Sequence, residues 1–327
     1  MALLPGVATQ PFEGALSMEE NSLFVANRFA GDHFVREWTV PHPSGSGEPV
    51  RRRVCVGVDG SGAAQGALRQ VHQDVFYRAL RMWAEKGASL VEDLHGHTRG
   101  LLDVSAYHLV MGIRGGASSR NYERVQELLG DLARIEVEIS NAYTWQETGD
   151  VLRCKLLGGV LWRTRRRDPE SGVPLSGERA SVQVTFSREV TKAFGEGAFK
   201  TMLAPTYEEL GSKGQGATSE VARLLYPYLA DYLSRYGMYE GRLAELEERF
   251  GFAKTGNKSR EFRRFEKAIA VLQDKTILGG LYRLRVSLRE TRNGKGHVLV
   301  VRRVGHDPRA FFSEEELRRY DAEYWGV

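Results

Sequence analysis

Apolar residues at positions 71, 75, 76, 79, 80 and 83 recur with the three-and-four spacing of one helix face, which predicts a helix over 71–86 stopped by Gly87. A second short helix is predicted over 105–111 with Ser105 as its N-cap, followed by a turn at Gly115 and Gly116. A third is predicted over 119–133. Beyond Arg134 the pattern changes to alternation (RIEVEISNAYTW), the period of a half-buried strand. The runs 151–163 and 180–186 predict two further strands, separated by a basic polar loop over 164–178. Upstream, 50–58 (VRRRVCVGV) alternates as a strand that could join the same sheet, and 24–40 ends in another strand-like run.

The same order then recurs. A Gly cluster at 211–216 precedes a helix over 218–236 with apolar residues at 221, 224, 225, 228, 229, 232 and 233, interrupted by Pro227. A short helix over 242–250 ends at Gly251, a C′ residue. A third runs over 258–273. Strands over 280–288 and 297–304 flank Asn293-Gly294, a strong hairpin signal. The tail 306–327 predicts a short helix capped at Ser313, with Glu316 completing a capping box. Three helices followed by a hairpin, twice over, predict an α+β chain of two tandem winged-helix domains. The expected division is a loose tail over 1–22, a first domain with extra strands over 23–205 and a second over 206–327.

The two third helices match at a constant offset of 140 residues. Ser119, Arg120, Asn121, Tyr122, Arg124 and Val125 stand where Ser259, Arg260, Glu261, Phe262, Arg264 and Phe265 stand in the second copy. Apolar positions continue at 128, 129 and 132 in one, and at 268, 269 and 272 in the other, which suggests duplication of one module. In the first copy, 122, 125, 129 and 132 form the face to be buried. In the second, Phe262, Phe265, Ile269 and Leu272 do so, leaving Arg260, Arg263, Arg264 and Lys267 outside, with Lys258 at the helix start. An exposed Arg or Asn near a helix N-terminus can read base edges in the major groove, and Ser119 or Ser259 can cap the helix or meet a phosphate.

Charge sharpens this picture. The 327 residues carry a net charge of only +4, yet 254–303 holds fourteen Lys or Arg against four Asp or Glu, an excess of ten. Such segregation is the footprint of phosphate contact. Arg292 and Lys295 sit at the turn of the second wing, and Arg165 and Arg166 in the loop of the first. The two cysteines, Cys55 and Cys154, lie in strand-like runs far from any CxxC partner and read as buried free thiols in a cytoplasmic protein. The sequence shows no membrane-spanning run and no secretion signal.

Catalytic readings are weaker. His95-Gly96-His97 invites comparison with the metal site of rolling-circle nucleases, but its middle residue is Gly and no Tyr-xx-Lys helix accompanies it. Gly211–Thr218 (GSKGQGAT) has phosphate-loop spacing, but Ala217 stands where Lys is needed. Gly60-Ser61-Gly62 does not complete a GxGxxG motif. The chain is therefore read as a non-enzyme without cofactor or metal.

The helix ARLLYPYLADYL, the helix RLAELEERFGF, then SREFRRFEKAIAVLQ and the hairpin LYRLRVSLRET together resemble the DNA-binding domain of iteron-binding plasmid replication initiators, the Rep proteins with tandem winged helices. FYRALRMWAEKG, SAYHLVMGI and SSRNYERVQELLGDLARI follow the same order, so the resemblance covers about 70–305. It implies binding of double-stranded DNA at repeated origin sites, both modules docking on successive major-groove faces. It also implies recruitment of host initiator and helicase proteins, and a homodimer through the N-terminal domain that represses the initiator's own promoter. A winged-helix transcriptional regulator is the alternative of the same class, and a rolling-circle origin nuclease the alternative of a different one.

Overall fold

The computed structural model describes residues 23–27, 29–40, 50–57, 65–114, 116, 118–140, 151–163, 180–195, 207, 209–210, 216–252, 258–277, 282–291 and 296–305. Their contacts divide the chain into two compact units, 30–195 and 196–327, and the segment Leu23–Phe29 belongs to the second of these.

In the first unit, α1 (Gln70–Glu85) is followed by the hairpin β3 (Leu90–Glu92) and β4 (Thr98–Ser105), then α2 (Ala106–Arg114) and α3 (Ser119–Arg134). The strands β7 (Leu157–Arg163) and β8 (Ser181–Phe186) pair antiparallel as the predicted wing. They join the hairpin in one sheet of order β3-β4-β8-β7. The alternation of Leu102 and Val104 with Val182, Val184 and Phe186 buries one face of this sheet. Trp83 of α1 packs there between Phe186 and Phe194, at ring centroid distances of 4.9 and 4.5 Å. Phe194 lies on α4 (Arg188–Gly195), a helix outside the elements that the sequence pattern predicts.

The strand predicted over 50–58 does not join the wing. It forms β2 (Val50–Val56) in a separate sheet of order β1-β2-β5-β6, with β1 (Phe34–Val40), β5 (Glu136–Ser140) and β6 (Val151–Lys155). Val54 and Val56 face Ile139 and Val137 across the β2–β5 ladder, so their alternation matches the strand that leaves α3 rather than the wing. The run 151–163, expected as one strand, is therefore two. It breaks at buried Leu156, where β6 ends in one sheet and β7 begins in another.

The second unit repeats the frame. It comprises α5 (Gly216–Tyr236), which runs through Pro227, then β9 (Met238–Arg242), α6 (Leu243–Arg249), α7 (Lys258–Leu272), β10 (Thr276–Ile277), β11 (Tyr282–Glu290) and β12 (His297–Gly305). Its sheet order is β10-β11-β12-β9. In both units the strand that leads into the second helix, β4 or β9, pairs with the second wing strand, β8 or β12. Gly251 closes α6 in the left-handed region (φ 59°), with Gly251 N–H on the Glu248 carbonyl and Phe252 N–H on that of Glu247. The predicted tail helix over 306–327, the Gly60-Ser61-Gly62 stretch and most of the 211–216 cluster lie outside the described residues.

Cys55 and Cys154 are both buried and free. Burial pushes the Cys154 thiol up to about 12 and also raises that of Cys55. Neither thiol is expected to react with a disulfide reagent at pH 8 in the native protein. Both should react fully in denaturant, counted by absorbance.

Candidate nucleic-acid interface

Each of the two matched helices, α3 (Ser119–Arg134) and α7 (Lys258–Leu272), is aimed by what its other face buries. On α3, Val125, Leu128, Leu129 and Leu132 are wholly buried, and Tyr122 meets Trp162 of β7 edge-on at 6.4 Å. Ser118, not Ser119, is the N-cap: its hydroxyl accepts the Asn121 N–H at 3.3 Å. Ser119 and Arg120 are thereby left exposed on the first turn. Asn121 is half-buried, and its Nδ2 donates to the Gly116 carbonyl at 2.8 Å, so that amide hydrogen bond is used within the turn between α2 and α3. Arg124 is exposed and pairs with Glu127 at 3.0 Å.

A polar pin ties this helix to α1. The Arg69 N–H donates to Nδ1 of His72 at 2.9 Å, so the ring proton lies on Nε2, 3.2 Å from the Asp131 carboxylate. Asp131 also accepts from Arg134 at 2.7 Å. The His72 hydrogen bond first, and Arg134 after it, hold the Asp131 carboxyl below its ordinary range against the opposing effect of burial.

On α7, Phe265, Ala268, Ile269 and Leu272 are buried, and Phe262 stacks on His297 of β12 at 4.2 Å. Both 122 and 262, related by the 140-residue offset, thus lean on a wing strand. Arg263 and Lys267 are exposed on the opposite side. Arg264 departs from expectation. It is not on the outer face but turned toward α5, paired with Glu220 at 2.9 Å and stacked over Phe252 at 4.9 Å. The apolar stripe at 262, 265 and 269 carries position 264 to the flank of the helix rather than to its open side. Lys258, Ser259 and Arg260 lie on the first turn of α7, and their side chains lie outside the described residues, as do Arg165, Arg166, Arg292 and Lys295.

The sequence places basic residues at the turn of the second wing; the structure adds a basic face along its strands. Arg285 and Arg302 face one another across β11 and β12, and with Arg289 and Arg242 they lie exposed on the side of the sheet opposite Leu284, Leu299 and Val301. Arg285 pairs with Asp274 at 3.0 Å. The period-two spacing of 283, 285 and 289 is the signal that could have found this face. The matching face of the first wing carries Leu161, Gln183 and Thr185 with Asp103, and has no such basic row among the described residues.

His95 and His97 occupy the tip of the β3–β4 hairpin. The Asp93 carboxylate accepts both their backbone N–H groups at 2.9 Å and a bond from Arg99 at 2.8 Å. These donors, the His97 N–H foremost, hold the Asp93 carboxyl at about 2. The pair is part of a turn motif. Among the described residues no group of three His, Cys, Asp or Glu is placed to hold a metal ion. Among them, too, no helix is long and apolar enough to cross a membrane.

No family model and no curated protein matches the chain. Among solved structures the fold is similar to a selenomethionine crystal structure of domains 2 and 3 of RctB, with a TM-score of 0.51 at 11% identity over 89% of this chain and 96% of that one. A further crystal structure of RctB domains 2-3 gives a TM-score of 0.49 at 10% identity, covering 88% and 96%. A crystal structure of Pi initiator protein in complex with iteron DNA gives 0.37 at 14% identity, covering 73% and 94%. The first of these likenesses shows a shared fold.

Asp131→Ala strands the buried Nε2–H of His72 and is expected to cost about 1–3 kcal/mol of stability, read from denaturant unfolding of the full chain. The carboxyl is depressed in the folded state. The cost should therefore be full above roughly pH 4, the ordinary Asp range, and shrink as pH falls through the lower folded value.

Proposed function

We propose that this chain binds double-stranded DNA sequence-specifically at the repeats of a replication origin and so initiates plasmid replication, with α3 and α7 entering successive major grooves. The observation that carries this reading is the repeated frame. Two helices of matching sequence are each buried along one stripe against the same arrangement of helix and sheet, with Arg120 exposed on one and Arg263 and Lys267 on the other. A helix held this way can present its N-terminal turn to base edges while basic wing residues meet the backbone.

The roles are unequal. The second unit, with Lys258, Ser259, Arg260, Arg263, Lys267, Arg292 and Lys295 in addition to its basic sheet face, supplies most of the phosphate affinity. The first, with Ser119, Arg120, Asn121, Arg124, Arg165 and Arg166, reads a second groove and carries homodimer contact. Host initiator and helicase proteins are the further partners of this reading, and the protein acts in the cytoplasm without enzymatic activity of its own.

Binding-site selection on the purified chain should yield direct repeats about two helical turns long; a single palindrome would instead favour a transcriptional regulator. On the selected site, Arg260→Ala is expected to weaken binding by about 1–3 kcal/mol and relax one base position. Lys267→Ala should weaken binding uniformly across sequences and lower the salt slope by about 1. Affinity independent of salt would sink the reading.

A further inference from the structure

Residues 23–27 and 29 form a strap folded into the second unit. Leu23, Phe24, Val25 and Ala26 are each 6% exposed or less. Ala26 N–H donates to the carbonyl of Phe250, the C-cap of α6, at 2.7 Å. Phe29 lies against Gly251, where an added Cβ would meet its ring at 2.5 Å. The next strap donor reaches further. Asn27 N–H donates to Oε1 of Glu220 on α5, across 193 residues of sequence. Oε2 of the same carboxylate accepts from Arg264 of α7 at 2.9 Å.

We infer that Glu220 is a positioning residue for the second recognition helix, and that the strap sets it. This rests on the reading of α7 as a DNA-binding helix. A carboxylate only 11% exposed must replace its lost hydration with donors. It has one from the strap and one from α7, so the strap and the helix share a single buried charge. Arg264 lies one helical turn beyond Arg260, and its guanidinium is also held on Phe252, which meets Phe265 of the buried stripe edge-on at 5.3 Å. Removing the strap donor leaves Glu220 under-satisfied and free to draw toward water. Arg264 then loses its fixed partner, and the roll of α7 loosens where its first turn meets DNA. Arg264 accordingly acts through helix placement and not as a base reader.

The substitution Asn27→Pro removes the donor, and Asn27→Ala, which keeps the N–H, controls for the lost side chain: it should leave exchange in 258–272 unchanged, and a rise equal to that of Asn27→Pro would overturn the role of the strap donor. Phe29 N–H closes a four-residue turn onto the Ala26 carbonyl at 3.0 Å, and Asn27 occupies its second position, which proline favours. Asn27→Pro, Glu220→Gln and the double variant of the full chain are compared by amide hydrogen exchange and by footprinting on the selected DNA site. Each single variant is expected to raise exchange across 258–272 by roughly tenfold, with exchange in 119–134 unchanged. The footprint should weaken over the half of the site bound by the second unit. The double variant should match either single variant, because both break one linkage. Unchanged exchange in 258–272 in either single variant, or additive effects in the double, would overturn the inference. If the wild-type chain gives no specific footprint while exchange in 258–272 still responds, the DNA reading fails and the positioning role of Glu220 stands. Should Asn27→Pro fail to fold, Glu220→Gln alone decides through the same localised exchange.

Discussion

Four side chains on α3, Val125, Leu128, Leu129 and Leu132, have no exposed surface, and the remainder of the first unit is arranged around keeping them dry. Burying each such side chain contributes about 1.5–3 kcal/mol, so turning the helix by one residue, roughly 100°, would expose most of that stripe at a cost comparable to the stability of a domain. The roll of the helix is settled by this, and the exposed position of Arg120 follows from it. The same constraint acts on α7 through Phe265, Ala268, Ile269 and Leu272. Basic residues need no attractive partner to be presented outward; they occupy the side that the apolar stripe leaves over.

Polar contacts refine what apolar burial decides coarsely. In each unit one buried or half-buried pair links the third helix to the first helix of its frame: His72 with Asp131 in the first, Glu220 with Arg264 in the second. The pairs use different residue types at different heights along the helix. Either one, if broken, leaves a desolvated group without its partner, which makes the geometry costly to abandon. The second pair also involves the strap, whose Asn27 N–H reaches Glu220 across 193 residues of sequence.

The two wing sheets show how one frame can serve two surfaces. Three strands share one order, β4-β8-β7 in the first and β9-β12-β11 in the second, while the fourth, β3 or β10, flanks opposite ends; the buried faces are both mainly rows of aliphatic side chains. The outer faces differ in charge, because residues on alternate sides of a strand vary independently. Arg242, Arg285, Arg289 and Arg302 give the second sheet its basic side, while Leu161 and Gln183 stand on that of the first.

Periodicity made much of this legible. The helices at 70–85, 119–134 and 258–272, the wing strands, the cap at Gly251 and the 140-residue offset all rest on local spacing, which acts over a few residues and leaves its mark in the chain. Short elements were not legible. β9 is five residues long with a glycine inside it, and β10 has two, too few for alternation to stand out; both exist because a neighbouring strand satisfies their backbone. The cap at Ser118 rather than Ser119 turns on a one-residue choice of backbone geometry. That β2 belongs with β5 and not with the wing, that Leu23–Phe29 folds into the second unit, and that Arg264 faces Glu220 are matters of which distant segments meet. Local spacing along the chain dictates which faces must be buried and how often the pattern repeats. What buries them is settled in three dimensions, because it depends on packing between segments whose separation along the chain carries no trace of it.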